Sequence, residues 1–270
     1  RRLAASGQRR MTSARKPAEP SNRPYERVLE TFDRTGVRHI IIGGQAAVAY
    51  GASQFTHDAD FWVEPTRRNL SALTAALRAL EASQRFLPDL NLRNLKKGHG
   101  IHFTVPSGDQ LFYIDILGKP PRVSGFGQAY RSAICVRWRG LRLRILDIPR
   151  LVKTKKTNRE SDYEAIRLLA EQVFEGVAAD ARLRSRNMKW LLQESRTPEH
   201  LIAIARTWPR GNKAASKSKR HAAILAARRT SAHSIQAALD EEKAVYQKAN
   251  IAYWRPFIQE LKTMRKRRMM

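Results

Sequence analysis

Apolar positions along this chain recur first with the two-residue period of strands and later with the period of helices, and the change falls near residue 147. The segment Pro24 to Thr35 (PYERVLETFDRT) opens with proline, suits a helix and stops at Gly36. Val37-Arg38-His39-Ile40-Ile41-Ile42 reads as a buried strand ending in Gly43-Gly44, and Gln45 to Tyr50 follows as a short helix closed by Gly51. Ala59-Asp60-Phe61-Trp62-Val63 is a second strand, stopped by Pro65. Thr66 can N-cap a helix over roughly 67–82, with Leu70, Leu73, Leu77 and Leu80 on one face.

Ile101 to Val105 and Leu111 to Leu117 read as a hairpin turning through Pro106-Ser107-Gly108-Asp109-Gln110. Ile134 to Trp138 and Leu141 to Ile145 make another around Arg139-Gly140, with one buried and one basic, solvated face. From Asp147 the pattern is helical. Ser161-Asp162-Tyr163-Glu164 matches a capping box that opens a helix to about Glu175, and helices follow near 180–194 and 198–206. Residues 209–220 read as a flexible basic linker, and 234–268 as a long charged helix or pair broken near Pro256. The fold class is therefore α+β: a mixed sheet of four or five strands flanked by helices, then an all-helical basic region. The expected organisation is a disordered basic arm (1–22), a sheet domain (23–147) and a helical region (148–270).

Charge sharpens this division. The chain of 270 residues carries a formal net charge of +27. Residues 181–270 hold 21 Lys/Arg against 6 Asp/Glu, so the excess concentrates in the last third. Such a surface attracts polyanions, RNA or DNA first. Cys135 is the single cysteine, which excludes a disulfide framework and a cysteine zinc site and fits a cytoplasmic protein. No apolar run reaches the ~20 residues of a membrane span.

The candidate chemistry lies in residues 40–63. A buried strand ending in Gly43-Gly44 and running into a helix offers free N–H groups to phosphates. Asp58 and Asp60 lead into the next strand, where residues two apart share a side, so their carboxylates converge as Mg²⁺ prefers. Asp115 lies inside the apolar strand FYIDIL, where a lone carboxylate needs a partner. Beside residues 59–63 it would complete a three-carboxylate cluster able to hold Mg²⁺ ions and to take a proton from an attacking hydroxyl.

The order of these features, Gly-Gly, a helix, Thr56-His57-Asp58-Ala59-Asp60 and a later strand aspartate, resembles the nucleotidyltransferase superfamily of DNA polymerase beta type. Within it the likeness is to minimal nucleotidyltransferases and AbiEii-like toxins. Thirteen residues separate Gly44 from Asp58, which fits that pattern. Downstream, Lys155-Lys156-Thr157-Asn158-Arg159-Glu160-Ser161-Asp162 is similar to a Lys…Arg-x-x-Asp segment whose Lys and Arg approach nucleotide phosphates. The likeness covers roughly residues 36–170. It implies a nucleotidyltransferase that uses Mg²⁺ at Asp58, Asp60 and Asp115 and binds an NTP through Gly43, Gly44, Thr56, Lys155 and Arg159. With the basic tail, it implies an RNA acceptor, a tRNA 3′ end foremost, and a cognate antitoxin protein as a partner.

Other readings of the same residues stand beside this one. Asp58 and Asp60 can be a turn and cap pair, Asp115 can pair with an arginine, Gly43-Gly44 can be a plain turn, and Lys155 and Arg159 can lie on a solvated helix face. His99 and His102 read as a loop and a strand histidine. Trp190, Trp208, Tyr253 and Trp254 suit base stacking or core packing. The competing functions are a non-catalytic nucleic-acid- or partner-binding module (an antitoxin or scaffold), a protein AMP-transferase and an antibiotic-modifying nucleotidyltransferase.

Overall fold

Strands of this chain find neighbours far apart in sequence, and the resulting sheet decides where the acidic residues meet. The computed structural model describes residues 24–53, 56, 58–123, 125–178 and 180–269. The basic arm expected over 1–22 lies outside them, as do Gln54, Phe55 and His57 of the motif segment. The first half runs α1 (Pro24–Thr35), β1 (His39–Ile41), α2 (Gly43–Ala49), β2 (Asp58–Val63), α3 (Arg67–Ala79), β3 (Ser83–Gln84) and α4 (Leu92–Lys97). Two hairpins follow: β4 (Gly100–Ser107) with β5 (Gln110–Leu117), then α5 (Phe126–Ser132) and β6 (Ile134–Trp138) with β7 (Leu141–Ile145). The rest is helical: α6 (Ile148–Thr154), α7 (Glu160–Ala178), α8 (Ala181–Glu194), α9 (Pro198–Thr207), α10 (Gly211–Ser216), α11 (His221–Ala227) and α12 (Ala232–Met269).

The strands form one mixed sheet in the order β3-β4-β5-β2-β1-β7-β6. It has seven strands rather than four or five, because β7 joins β1 in parallel and the two-residue β3 adds an edge. β2 pairs antiparallel with β1 and parallel with β5, so it sits at the centre. One sheet face is apolar. There Phe61 of β2 meets Phe32 of α1, ring centroids 5.0 Å apart, and α3 packs on α1 through buried Leu73 and Leu77. Thr66 caps α3 as its sequence suggests, accepting from the Asn69 amide. The other face of β2 and β5 carries the acidic residues.

Two clusters of buried apolar residues organise the described chain. One gathers the sheet with α1, α3 and part of α7, reaching Ile166 and Leu169. The other is built from α8, α9, α10, α11 and the start of α12, with Leu191, Leu201, Ile204 and Ile235 fully buried. Charged side chains lie beside it. Lys156 meets Glu194 at 2.8 Å, Glu242 accepts from Arg220 at 2.7 Å and from Tyr246 at 3.0 Å, and Arg196 lies 3.3 Å from Glu242.

Several sequence expectations change. Residues 209–220 are not a linker: α10 seats Ala215 in the second cluster, and Gly211 packs directly on the Ile204 carbonyl. Arg210, Asn212, Lys213, Ser216, Lys217 and Lys219 of that stretch are exposed around a small apolar stripe, while Arg220 turns inward to Glu242. α12 continues through Pro256, with that residue exposed on a helix of 38 residues, where one missing backbone donor is tolerated. Ser161 lies inside α7, which begins at Glu160, so it is not a cap. β6 is an edge strand exposed on both sides, with Ile134 and Val136 in solvent, so only β7 has a buried face. Trp208 is buried against Phe174, and Trp190 packs beside both clusters, which assigns these two to the core.

Candidate active site

Register brings the acidic residues together. Asp60 of β2 stands directly opposite Asp115 of β5, and Asp115 in turn stands opposite His102 of β4. Asp58 is two residues before Asp60 and shares its face. A row Asp60–Asp115–His102 thus crosses three neighbouring strands. The condition set by the sequence, that Asp115 neighbour residues 59–63, is met by the parallel β2–β5 pair.

Each carboxylate has a protein partner. Asp58 accepts from the Thr56 hydroxyl at 2.6 Å, Asp60 accepts from the Gly44 amide at 3.2 Å, and Asp115 lies 2.7 Å from Nδ1 of His102. So Asp115 is paired, but with a histidine and not an arginine. Among the described residues no group of three or more His, Cys, Asp or Glu side chains is gathered as a metal cage.

The glycines are required by close approach. Gly43 has a φ of +60°, and a Cβ there would collide with the Asp60 carboxylate. A Cβ on Gly44 would stand 2.5 Å from the Thr56 hydroxyl. The pair forms the first turn of α2 instead of preceding it, and the Gly44 amide is directed to Asp60. Glycine therefore lets the start of α2 lie against the β2 acidic residues.

Across the cleft stands the start of α7. Gly44, Thr56, Asp58, Asp60, Asp115, Lys155 and Arg159 line one pocket together with Asp162. The Lys155 side chain is only 9% exposed and meets Asp162 at 2.8 Å, and Arg159, 67% exposed, reaches the same carboxylate at 2.9 Å. Thr157 also donates to Asp162, so this one buried carboxylate gathers both cations at the rim. Of the three lysines near residue 155, Lys156 turns away to Glu194, and the Lys153 carbonyl accepts from Arg122. The residues singled out from sequence therefore meet at one cleft, with Gly43 behind Asp60. His102 and the anchoring role of Asp162 were not singled out.

Electrostatics single out Asp60. Burial, and then the neighbouring Asp58 and Asp115, push its pKa up to about 6, against the opposing pull of the Gly44 amide and Lys155. His102 is raised above the ordinary imidazole value, first by its hydrogen bond to Asp115. Asp162 is held below the usual carboxylate range. Burial pushes it up, but Lys155, Thr157 and Arg159 together outweigh that. The cleft thus confronts a concentration of negative charge with two cations across a gap.

No family model matches the chain, and no curated protein matches it. Among solved structures it is similar to JHP933 from Helicobacter pylori, with 14% identity over 87% of this chain and 94% of that one and a TM-score of 0.40. It is also similar to the antibiotic-resistance factor ANT(2″)-Ia in solution, with 17% identity over 60% of this chain and 90% of that one and a TM-score of 0.38. The crystal structure of ANT(2″)-Ia in complex with adenylyl-2″-tobramycin gives 18% identity, 60% and 95% coverage and a TM-score of 0.36. Among the described residues, no helix is long and apolar enough to cross a membrane.

Proposed function

We propose that this cleft transfers a nucleotidyl group from an NTP to an acceptor hydroxyl. One juxtaposition carries the reading: Asp58, Asp60 and Asp115 line the same pocket as Lys155 and Arg159. The residues suit Mg²⁺, because hard carboxylate oxygens are its preferred ligands. Burial first, and then repulsion from Asp58 and Asp115, raise the Asp60 pKa, and a divalent cation would relieve that repulsion. Bound there, Mg²⁺ would neutralise phosphate charge and lower the pKa of the attacking hydroxyl.

The chain's own residues then have separate tasks. Asp58 and Asp60 would hold the ion, and Asp115 would complete the ligand set or take the hydroxyl proton. The acceptor oxygen bonds to the α-phosphorus, the bond from that phosphorus to its bridging oxygen breaks, and pyrophosphate leaves. Lys155 and Arg159 carry the charge of the triphosphate. The Gly43-Gly44 turn keeps Asp60 at the start of α2. An RNA 3′ end, a tRNA foremost, is the acceptor that the basic C-terminal third favours. The resemblance to AbiEii-like toxins extends this to growth inhibition, with a cognate antitoxin as partner.

The test is incubation with Mg²⁺, each α-³²P-labelled NTP in turn and total tRNA, beside the Asp58→Ala/Asp60→Ala double variant. The expected result is label in RNA with the wild type only. Label on protein would replace the RNA acceptor with a side-chain hydroxyl. No label with any NTP would overturn the transfer reading in favour of a binding module.

A further inference from the structure

The row of residues that crosses the sheet does not stop at His102. The backbone amide of Arg85, just beyond β3, donates to the His102 carbonyl at 2.9 Å, so Arg85 extends the row by one strand. Its guanidinium lies over two rings at once, Tyr113 at 4.7 Å and Phe86 at 4.8 Å. Phe86 is 48% exposed and meets the His102 ring edge-on at 6.2 Å. Moving outward from Asp115, the surface thus changes from acidic to aromatic and cationic within two strand spacings, about 10 Å.

The basic end of α12 closes this path. Arg265 and Arg268 line a groove with Arg85 and Phe86, and the one carboxylate there, Asp89, lies 3.7 Å from Arg268. The helix is held in place. Glu260 takes Lys97 at 2.6 Å and His99 at 3.0 Å, Phe257 packs edge-on against His99, and Asn250 bonds both Arg122 and Asn158. Those interactions fix the terminal arginines beside the sheet edge, next to an exposed ring.

The geometry points to a track for the 3′-terminal nucleotides of a single-stranded RNA. It runs from Asp115 over His102 and Phe86 to Arg265 and Arg268. This inference rests on the nucleotidyl-transfer reading for its direction, with the terminal hydroxyl at Asp115, but not for the binding itself. An exposed ring, Phe86, set between the His102 ring and the guanidinium groups of Arg85, Arg265 and Arg268 matches an unstacked base flanked by phosphates. A duplex keeps its bases stacked and offers Phe86 nothing. A protein acceptor would gain little from a row of cations.

The experiment is fluorescence anisotropy with a labelled single-stranded RNA of mixed sequence, in EDTA and without NTP. Binding is thereby read apart from transfer. Wild type should bind the single strand well above a blunt duplex of the same length. Phe86→Ala should weaken binding about 5- to 150-fold, the range for loss of one base stack, and Phe86→Trp should restore it. Arg265→Gln/Arg268→Gln should lower the slope of log affinity against log salt by about 0.7 for each phosphate that is no longer neutralised. Wild-type affinity in Phe86→Ala, equal binding of the duplex, or an unchanged salt slope in the double variant would overturn the track. Tight, Phe86-dependent binding without any label transfer would keep the track and sink the transfer reading instead.

Discussion

Gly43 and Asp60 lie so close that no β-carbon fits between them. The left-handed backbone of Gly43 and the inward approach of Asp60 are two halves of one local solution. Gly43→Ala is therefore expected to cost ~1–2 kcal/mol for the backbone alone, and to displace Asp60 as well. Gly36 provides the control, since its φ is +73° but nothing stands near its missing Cβ. Thermal denaturation should show both alanine variants destabilised. Nucleotidyl transfer should be lost only in Gly43→Ala, and equal activity in the two would refute the link between the turn and the site.

His102 orients Asp115 through its ring nitrogen. Residues that support a metal ligand in this way commonly change metal affinity or activity 10- to 100-fold when removed. His102→Ala should fall in that range, and His102→Asn, which keeps a donor near the same position, should lose less. Mg²⁺ titration by calorimetry checks this beside the transfer rate. Unchanged Mg²⁺ affinity in His102→Ala would leave the pair without a role at the site.

Asp162 makes a pH prediction. Its folded pKa is depressed, so its contribution to stability is present above the unfolded value of about 3.9 and is lost as pH falls through the lower folded value. The stability difference between wild type and Asp162→Asn, measured by urea unfolding, should be flat from pH 7 to about 5. It should then shrink below about pH 4. A difference that persists undiminished at pH 3 would mean that the pairing with Lys155 and Arg159 is not what stabilises the charged form.

Glu242 offers a contrast between buried and exposed charge. Arg220, Arg196 and Tyr246 converge on it, and both arginine side chains are under 10% exposed. Glu242→Gln leaves buried guanidinium groups short of an anion, which costs ~3–5 kcal/mol for pairs of this kind. Glu164→Gln, at the surface pair with Arg167, should cost no more than ~1 kcal/mol. Comparable losses in the two variants would show that the Glu242 cluster is solvated in solution.

Much of the site was legible because its residues break the local pattern. Asp115 is conspicuous as a carboxylate in an apolar strand, and Gly43-Gly44 as a pair that ends one. His102 has no such mark, since a polar residue on a half-buried strand is ordinary. Its partner follows only from the register of the hairpin. The structure turns at Gly108-Asp109 alone, with Ser107 opposite Gln110, and that register sets His102 opposite Asp115. Allowing five residues for the turn hides the pairing. The sequence does carry the signal, a Gly108-Asp109 pair with Gly108 at a φ of +59°. α10 was obscured differently: its six residues hold too little apolar surface to show a period, and its place depends on Gly211 fitting against α9.

Helix α12 begins among the buried residues of the second cluster, at Ile235 and Leu239, and ends beside the sheet edge near Phe86. At 1.5 Å per residue, its 38 residues form a strut about 57 Å long. It is anchored at one end in a helical core and tied along its length to α7 through Lys243 and Glu160 and to α4 through Glu260 and Lys97. Residues far apart in sequence thus set where the last arginines stand, so the reach of the basic tail is a property of the whole helical region and not of its final turn.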